Sequence, residues 1–394
     1  MKRNVAIIIP ELTNGGAERV ASNLSLNISE DKFNKYIIVY NSEKTLYPYG
    51  GKLININTKA TPNPIGKIIN LIKRFFKLKQ IKRQYNIHTT ISLLANPNIM
   101  NIFTKTNDKV IVSVRNFVSK GYKGFYGRVY NASIKFLYNK ADKVVVVSRA
   151  IKNDLIMNFG LDQTKIKVIY NFYDIERINE LAKEEIEEQY KDIFKNPTII
   201  TVGRLSQQKG QWHLIRAFKE IKQEISNAKL VILGQGELKN YLRQLAMDLG
   251  LGNDIYFLGF QENPFKYIAR STIYVLPSLY EGFPNALCEA MACRIPVVSS
   301  DCKSGPREIL APGTDIDLEA QNIEYEKYGI LVPVCNGIMY KHDDELTREE
   351  RFLSKSIIDL LSNKELLEKY STRAFRRSED FCKENIIKIW ENEI

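Results

Sequence analysis

The 394-residue sequence predicts an α/β protein built of two facing Rossmann-like domains, each with a parallel sheet. Short apolar runs alternate with helix-compatible segments along the whole chain. Several runs are uninterrupted and β-branched, as in VVVV at 144–147, which is typical of parallel strands buried on both faces. The chain is too long for one ordinary core, and its 44% of hydrophobic residues is enough to fill two.

The first domain is predicted to span residues 1–180. Its strand candidates are residues 5–10, 36–40, 53–57, 89–94, 109–114, 144–147 and 167–170. The loop at 11–18, ELTNGGAE, contains Gly15 and Gly16, whose missing side chains would let the backbone approach a ligand at the carboxyl end of the sheet. The spacing is not GxGxxG, which disfavours a nicotinamide or flavin site, and a plain tight turn is the alternative.

The second domain is predicted to span residues 190–377, after a highly charged segment at 174–195 that we interpret as the linker. Its strand candidates are residues 198–202, 230–233, 255–258, 273–276, 297–299 and 330–332. Each is followed by a helix-compatible run, which predicts a second parallel α/β unit. Residues 375–394 are predicted to form a last helix, with Trp390 as a core anchor.

Basic residues are concentrated in the first half of the chain, whose overall net charge is +12. Residues 1–178 contain 29 Lys/Arg and 11 Asp/Glu, a net charge of +18, whereas the remainder contains 28 and 34, a net charge of −6. This asymmetry favours an anionic partner for the first half, either a membrane surface or nucleic acid.

The composition also predicts the compartment. No run has the roughly 20 apolar residues of a membrane span, and the start MKRNVAIIIPE has no signal-peptide cleavage site, so we expect a cytoplasmic protein. The five cysteines are odd in number and lack metal-ligand spacing, which indicates reduced thiols.

Residues 65–83, IGKIINLIKRFFKLKQIKR, combine apolar residues near helical spacing with seven Lys/Arg. This composition is typical of an amphipathic helix lying on anionic lipid. The alternative is an ordinary helix that packs its apolar stripe on the sheet and exposes its lysines. A second basic and aromatic stretch at 115–140 supports the membrane interpretation.

The stretch at 280–289, YEGFPNALCE, predicts an anion site. Gly282 and Pro284 would form a turn after the strand at 273–276, and a helix would follow until Pro296 stops it. The amides of its first three residues, Asn285, Ala286 and Leu287, would then attract an anion through their unpaired N–H groups and the helix dipole. Glu281 and Glu289 flank this helix start and are acceptors for sugar hydroxyls, so the stretch suits a nucleotide sugar.

Ligands of parallel sheets lie beyond the carboxyl ends of the strands. In the second half these ends carry Gly203 with Arg204, then Gly234, Gly259, Glu281, and Ser300 with Asp301. Arg204 can bind phosphate oxygens with its planar fork, and Lys209 in GRLSQQKG supplies a point charge nearby. Solvated loop charges are the alternative.

Four motifs together resemble glycosyltransferase family 4, a family of retaining enzymes with the GT-B fold. They are NGGAE at 14–18, VIYNFYD at 168–174, GRLSQQKG at 203–210 and the two glutamates of EGFPNALCE at 281–289. The match runs in the right order over nearly the whole chain. The resemblance implies that a C-terminal segment at 378–394 crosses back to the first domain.

The resemblance also implies roles for individual residues. Arg204 and Lys209 would hold the donor diphosphate, which Gly16 would approach from the other domain. Gly15 and Gly203 are further candidate substrate-binding residues. Glu281 would contact donor sugar hydroxyls and Glu289 the ribose hydroxyls. Backbone at Phe283, Pro284, Asn285, Ala286 and Leu287 would meet phosphate and sugar, and the nucleobase would lie near Gly259 and Phe260.

One departure concerns the catalytic base. Many relatives carry a histidine after the strand that ends here in Val114, whereas this chain has Arg115 and Asn116. The resemblance therefore implies front-side transfer, in which the leaving diphosphate helps to remove the acceptor proton; Glu281 as a transient nucleophile is the alternative. Arg115 and Asn116 become candidate contacts to an acceptor phosphate or sugar.

We expect no metal requirement, because two cations and a helix dipole can neutralise the leaving group. Asp315 and Asp317 match a DxD motif only superficially, in an acidic loop. His342 beside Asp343 and Asp344 likewise predicts a solvated loop rather than a metal site.

The sequence thus predicts an α-retaining hexosyltransferase that moves a hexose or N-acetylhexosamine from a UDP-sugar to a glycan acceptor. A polyprenyl-diphosphate-linked acceptor and peripheral attachment to the inner face of the cell membrane follow from the basic first half, with capsule, O-antigen or other lipopolysaccharide synthesis as the setting. A sugar-nucleotide epimerase or phosphorylase on the same fold is one alternative. A nucleic-acid-binding protein is another, but no motif of that class is present, so we expect no nucleic-acid partner.

Overall fold

A computed structural model of the chain describes every residue except Met1, Asn14, Lys44, Ala60, Tyr122 and Lys123. The side chains of residues 120–121, 124–126 and 128–130 are also not described. Much of the aromatic stretch predicted at 115–140, including Tyr122 and the side chains of Phe125, Tyr126 and Tyr130, therefore lies outside the described residues.

The chain divides into two compact units. The first unit comprises Met1–Phe172 together with Lys383–Ile394, and the second comprises Tyr173–Cys382. The C-terminal segment thus returns to the first unit. The charged segment expected as the linker, 174–195, instead lies inside the second unit and begins with a helix that the Asp174 side chain caps.

The first unit is built on a parallel sheet of seven strands in the order β3-β2-β1-β4-β5-β6-β7. The strands are β1 Arg3–Ile9, β2 Phe33–Val39, β3 Lys52–Asn55, β4 Thr89–Leu93, β5 Lys109–Val114, β6 Lys143–Val146 and β7 Ile166–Val168. All seven predicted strands are confirmed. The strand order reverses between β1 and β4, which is where a ligand crevice forms in such sheets.

Helices of the first unit flank this sheet. They are α1 Gly16–Asn27, α2 Pro64–Gln84, α3 Ala95–Phe103, α4 Val118–Gly121, α5 Gly124–Leu137, α6 Arg149–Phe159 and, from the C-terminal segment, α15 Lys383–Glu393. Trp390 of α15 is 2% exposed and packs with the strand residues Ile7 and Ile9 in one core cluster, so its predicted role as an anchor is confirmed.

The helix α2 has two different halves. Near its C-terminal end Leu78 and Ile81 are buried in the core of the first unit. Nearer its start the apolar side chains are exposed, at Ile65, Ile68, Ile69, Leu71, Ile72 and Phe76. The N-terminal half therefore does not pack its apolar residues on the sheet.

The second unit has another seven-stranded sheet, in the order β10-β9-β8-β11-β12-β14-β13. The strands are β8 Thr198–Val202, β9 Lys229–Leu233, β10 Ile255–Gly259, β11 Ile273–Leu276, β12 Val297–Ser300, β13 Glu324–Tyr325 and β14 Ile330–Val332. The six predicted strands are confirmed and parallel. The sheet is not wholly parallel as expected, because β13 pairs antiparallel with β14, and its two residues are too few to show a pattern.

The helices of the second unit are α7 Ile175–Ala182, α8 Gln211–Glu224, α9 Lys239–Asp248, α10 Phe265–Ile268, α11 Asn285–Ala292, α12 Pro306–Leu310, α13 Arg348–Leu361 and α14 Lys364–Ser378. A single last helix from residue 375 is wrong. The backbone of Cys382 is extended and forms a parallel bridge with Tyr173, which separates α14 from α15. None of the described helices has both the length and the apolar composition to cross a bilayer.

Candidate active site

Lys209 and Glu281 form an ion pair at the carboxyl edge of the second sheet. Lys209 Nζ lies 2.6 Å from Glu281 Oε1, and the Ser278 hydroxyl donates to the same oxygen at 2.7 Å. The Glu281 side chain is 6% exposed and that of Lys209 is 21% exposed. The structure thus brings two of the predicted site residues together, and the cation keeps some access to solvent.

A tight turn after β8 places Lys209 there. Residues Gln207–Lys209 form one 3₁₀ turn, and Gly210 follows with φ +60°. A Cβ atom on Gly210 would lie 2.4 Å from the carbonyl oxygen of Pro277, so only glycine lets this turn approach the end of β11 so closely. The backbone therefore brings the Lys209 turn to the segment that carries Glu281.

Gln208 joins the same two segments. Its carbonyl oxygen accepts from the Leu279 N–H at 2.8 Å, and its side-chain amide donates to the Tyr280 carbonyl at 2.9 Å. These two bonds fix the backbone on both sides of the ion pair, which limits the movement of Lys209 relative to Glu281.

The start of α11 is held by the loop that follows β12. Ser304 adopts φ +71° and donates its hydroxyl to the Gly282 carbonyl at 2.5 Å. Gly305 packs against Pro284, whose Cδ atom a Cβ there would approach to 2.4 Å. Contacts from Ser304 and Gly305 thus hold the turn that precedes α11.

The first turn of α11, where the sequence predicts an anion site, has fewer open N–H donors than expected. Pro284 is the N-cap residue, and the N–H of Leu287 donates to its carbonyl at 3.1 Å. Asn285 and Ala286 are partly exposed, whereas Phe283 and Leu287 are buried. The accessible part of the helix start is therefore Asn285 and Ala286.

Glu289 lies one turn further along α11 and is 3% exposed. Tyr274 of β11 is fully buried close to both glutamates. Burial raises the pKa of the Tyr274 hydroxyl well above its usual value, and the negative charges of Glu281 and Glu289 raise it further. The phenol is therefore neutral at any physiological pH and lies near both carboxylates of the motif.

The Arg204 side chain does not pair with Glu281, unlike Lys209 and Ser278. Its guanidinium pairs with Glu237 through Nε at 3.3 Å and Nη2 at 3.2 Å, and its side chain is 73% exposed. Gly203 lies beside the Lys209 side chain, since a Cβ atom placed on Gly203 would be 3.5 Å from Lys209 Cε. The structure therefore unites Gly203, Lys209 and Glu281 but not the Arg204 side chain.

The residues expected near a nucleobase lie at the end of β10. Gly259 has φ +73° and open space where a Cβ would lie, and its carbonyl accepts from the Gly234 N–H at 2.7 Å. The ring of Phe260 is 57% exposed. An open backbone beside an exposed aromatic ring is a suitable surface for stacking a flat ligand.

In the first unit Gly15 and Gly16 begin α1. Gly15 is the N-cap, and a Cβ on it would lie 1.9 Å from a Glu18 carboxylate oxygen, so the Glu18 side chain folds back against the helix start. Burial raises the pKa of Glu18, and the charge of Glu11 contributes in the same direction. Gly16 has open space where a Cβ would lie.

Arg115 and Asn116 lie after β5 in the first unit. They line a cleft of about 20 Å³ together with Leu94, Ala95, Ser113, Val114 and Val118. Arg115 donates through Nη1 to the Ser113 hydroxyl at 3.4 Å and through Nη2 to the Asn171 side-chain oxygen. The guanidinium is thus oriented by partners from the ends of β5 and of the segment after β7.

Comparison with known proteins identifies the family. Residues 14–177 match the family described as Glycosyltransferase Family 4, and residues 182–324 match Glycosyl transferases group 1. A glycosyltransferase of uncharacterised activity from Methanocaldococcus jannaschii is 37% identical over 354 residues, which cover 86% of this chain and 87% of the relative.

A second relative matches over nearly its full length. It is the N-acetylgalactosamine-N,N'-diacetylbacillosaminyl-diphospho-undecaprenol 4-alpha-N-acetylgalactosaminyltransferase of Campylobacter jejuni, 31% identical over 98% of both chains. The chain belongs to glycosyltransferase family 4.

The fold of this family 4 member agrees with that of solved structures. Anabaena HepE in complex with UDP has a TM-score of 0.74, at 18% identity over 99% of both chains. The predicted fold class, GT-B with a C-terminal helix returning to the first Rossmann-like unit, and the predicted enzyme class, a glycosyltransferase, are confirmed.

None of the three histidines of this glycosyltransferase follows β5. His88 accepts from the Asn4 N–H, and His342 lies exposed in a loop. His213 is buried, with Nδ1 2.8 Å from Glu350 Oε1, which Arg216 also contacts at 3.0 Å. His213 therefore contributes a buried polar contact to the core of the second unit. Within the part of the chain that the structure describes, no three His, Cys, Asp or Glu side chains group as metal ligands.

Three residues beside the candidate site were not predicted from the sequence. Ser278 could have been suggested by its position just after β11, and Gln208 by its place beside Lys209. Tyr173 lies in the VIYNFYD motif at 168–174, but nothing in that motif indicates that its hydroxyl reaches α11. Its hydroxyl donates to the Asn285 side-chain oxygen at 2.9 Å, across 112 positions of sequence.

Proposed function

We propose that this glycosyltransferase is a retaining hexosyltransferase that moves a hexose or N-acetylhexosamine from a UDP-sugar to a glycan carried on a polyprenyl diphosphate. The observation that carries the proposal is the Lys209–Glu281 pair, 2.6 Å apart, in the unit that also presents the start of α11. The pair combines a cation for a diphosphate with a carboxylate for sugar hydroxyls. The complex of Anabaena HepE with UDP supports the choice of nucleotide.

Lys209 can bind the departing diphosphate while it keeps its hydrogen bond to Glu281. A lysine ammonium has three N–H donors, and the bond to Glu281 uses one of them. The remaining donors and the accessible helix start at Asn285 and Ala286 would meet the β-phosphate. Fixed positive charge at that position stabilises the diphosphate as negative charge develops on it.

The reaction then proceeds on one face of the sugar. The bond between the anomeric carbon and the β-phosphate oxygen breaks, and the acceptor hydroxyl oxygen forms its bond on the same face. The acceptor proton passes to an oxygen of the leaving diphosphate, so that no histidine base is required. Because Lys209 and the dipole of α11 supply the neutralising charge, we propose that transfer needs no divalent metal.

The acceptor proposal rests on the first unit and on a relative. The Campylobacter enzyme acts, by its name, on a saccharide linked to diphospho-undecaprenol. The exposed Ile68, Ile72 and Phe76 of α2, interspersed with the exposed Lys67 and Lys73, form a surface that suits an anionic bilayer. We propose peripheral attachment through α2 at the inner face of the cell membrane, in the synthesis of a surface polysaccharide of the capsule or O-antigen type.

A thermal-shift panel of nucleotide sugars tests the donor assignment. A UDP-sugar at 100 times its dissociation constant should stabilise the protein by about 2.7 kcal/mol. Matched ADP-, GDP- and CMP-sugars at the same concentration are the controls. Stabilisation by another nucleotide series and not by the UDP series would overturn the proposed donor.

A further inference from the structure

The side chain of Asn285 is held by a tyrosine from a distant part of the chain. Asn285 is the first residue of α11, and its Oδ1 atom accepts from the Tyr173 hydroxyl at 2.9 Å. The Tyr173 side chain is buried, with 6% of the residue exposed, while Asn285 keeps partial exposure.

This contact determines which end of the carboxamide faces which way. A tyrosine hydroxyl that donates to Oδ1 places the NH₂ group of Asn285 on the opposite side, away from Tyr173. Without the hydroxyl, rotation of the carboxamide by half a turn exchanges a donor for an acceptor. At a helix start that meets phosphate, an NH₂ group attracts the ligand and a carbonyl oxygen repels it.

Tyr173 itself is fixed beside the N-cap of α11. Its N–H donates to the Phe381 carbonyl at 2.9 Å, and it forms a bridge with Cys382. The Phe381 ring packs edge-on against Phe283, with centroids 5.4 Å apart. Tyr173 and Phe381 therefore hold the residues on both sides of Pro284, which are Phe283 before it and Asn285 after it.

We propose that Tyr173 is a positioning residue of the transferase, which fixes the carboxamide of Asn285 so that its NH₂ group meets the donor. The proposal rests on the proposed function, because it assigns the ligand of Asn285 as the diphosphate or the transferred sugar of a UDP-sugar. Tyr173 acts through Asn285 and does not itself touch the donor.

A double-mutant cycle on the full-length protein tests this coupling. Tyr173→Phe removes the hydroxyl alone and should weaken UDP-sugar binding, measured by calorimetry, by about three- to tenfold. Asn285→Ala should weaken it by a similar factor. The double variant should bind as Asn285→Ala does, because Tyr173 has nothing left to position.

Tyr325→Phe is the matched control. Tyr325 likewise donates its hydroxyl to a side chain of its own unit, the carboxylate of Asp359. It lies on the edge strand β13, so removal of that hydroxyl should leave donor affinity unchanged. Thermal unfolding without ligand shows whether each variant is folded. Unchanged affinity in Tyr173→Phe, or equal further losses in the wild-type and Asn285→Ala backgrounds, would overturn the positioning role. Failure of the wild-type protein to bind any UDP-sugar would overturn the proposed function as well.

Discussion

Lys209 Nζ and Glu281 Oε1 lie 2.6 Å apart. The cation proposed to bind the leaving group and the carboxylate proposed to bind the sugar are therefore directly bonded to each other. Glu281 is almost fully buried, and the Ser278 hydroxyl satisfies the same carboxylate oxygen. Each member of the pair therefore holds the other in position, in addition to the ligand contact proposed for it. Variants at either residue should separate these two effects.

Lys209→Ala should weaken donor binding and also destabilise the second unit. It removes the proposed phosphate ligand, and it leaves the Glu281 carboxylate buried without its cation. We expect kcat/KM to fall by about 100-fold and the free energy of unfolding by about 1–3 kcal/mol, less than for a fully buried pair. Transfer kinetics measure kcat/KM, calorimetry measures the affinity for UDP, and urea unfolding measures the loss of stability. The control is Lys355→Ala, which breaks the exposed pair with Asp359. Wild-type affinity for UDP in Lys209→Ala would contradict the proposed contact between Lys209 and the diphosphate.

Glu281→Gln should slow transfer strongly and leave nucleotide binding nearly unchanged. The amide keeps the shape of the side chain and an oxygen for Ser278, but it loses the charge proposed to hold donor sugar hydroxyls. We expect kcat to fall by about 100-fold or more, with the dissociation constant for UDP within about threefold of wild type. Glu319→Gln, which removes the partner of Lys303 from a more exposed pair, is the control. Transfer at the wild-type rate would rule out a direct role for Glu281.

Arg204 and Glu237 test whether the exposed cation binds the donor. If Arg204 exchanges Glu237 for phosphate, Arg204→Ala should raise the dissociation constant for UDP about tenfold. Glu237→Ala should lower that constant, because it removes the competing carboxylate. Neither change should shift the unfolding midpoint, since both side chains are largely exposed. Unchanged affinity in both variants would make Arg204 a solvated loop cation.

The exposed apolar surface of α2 should carry the membrane attachment. Replacing Ile68 and Ile72 together by Ser should reduce co-sedimentation with vesicles that contain anionic lipid. Met157→Ser is the matched control, because Met157, at 81%, is the most exposed of the large apolar residues that the structure describes in the first unit, and it lies on α6. Raising the salt concentration should weaken binding further, since each Lys or Arg near such a surface contributes about 1 kcal/mol. Equal loss of binding in both variants, or none in either, would contradict attachment through α2.

A buried ion pair makes the first unit sensitive to acid. Lys82 Nζ lies 2.9 Å from Asp108 Oδ2, and both side chains are fully buried. Burial alone would raise the pKa of Asp108, but the Lys82 charge and hydrogen bonds from Thr90 and Thr106 hold it below its usual 3.8. The stability that this pair contributes is complete above that value and is lost as the pH falls through the lower folded pKa.

Asp108→Asn should therefore destabilise the first unit at neutral pH by about 3–5 kcal/mol and by much less in strong acid. Urea unfolding can be followed by Trp390 fluorescence in a Trp212→Phe background, since these are the two tryptophans of the chain. Lys105→Ala, which opens the exposed pair with Asp142, is the control. A constant difference between Asp108→Asn and wild type from pH 7 to pH 2 would contradict this pKa assignment.

The parallel strands were predictable because each buries both faces and so appears as a continuous apolar run, as at 144–147. The strand β13 has only two residues and depends on pairing with β14. The break between α14 and α15 depends on the bridge of Cys382 with Tyr173. Structure that is imposed by a distant partner leaves no local signal.

In the candidate site, too, some features could be predicted from local sequence and others depend on distant partners. Lys209 and Glu281 were predictable because strand ends and a helix start mark where ligands bind in α/β sheets. Their mutual bond spans 72 positions, and the Tyr173–Asn285 bond spans 112. Side-chain partners at such separations follow from the packed fold, as does the pairing of Arg204 with Glu237.

A crystal structure with UDP bound tests the central claim most directly. The account predicts a β-phosphate oxygen within about 3.2 Å of Lys209 Nζ, with the phosphate at the start of α11 beside Asn285 and Ala286. UDP bound with its β-phosphate away from both Lys209 and this helix start would contradict it.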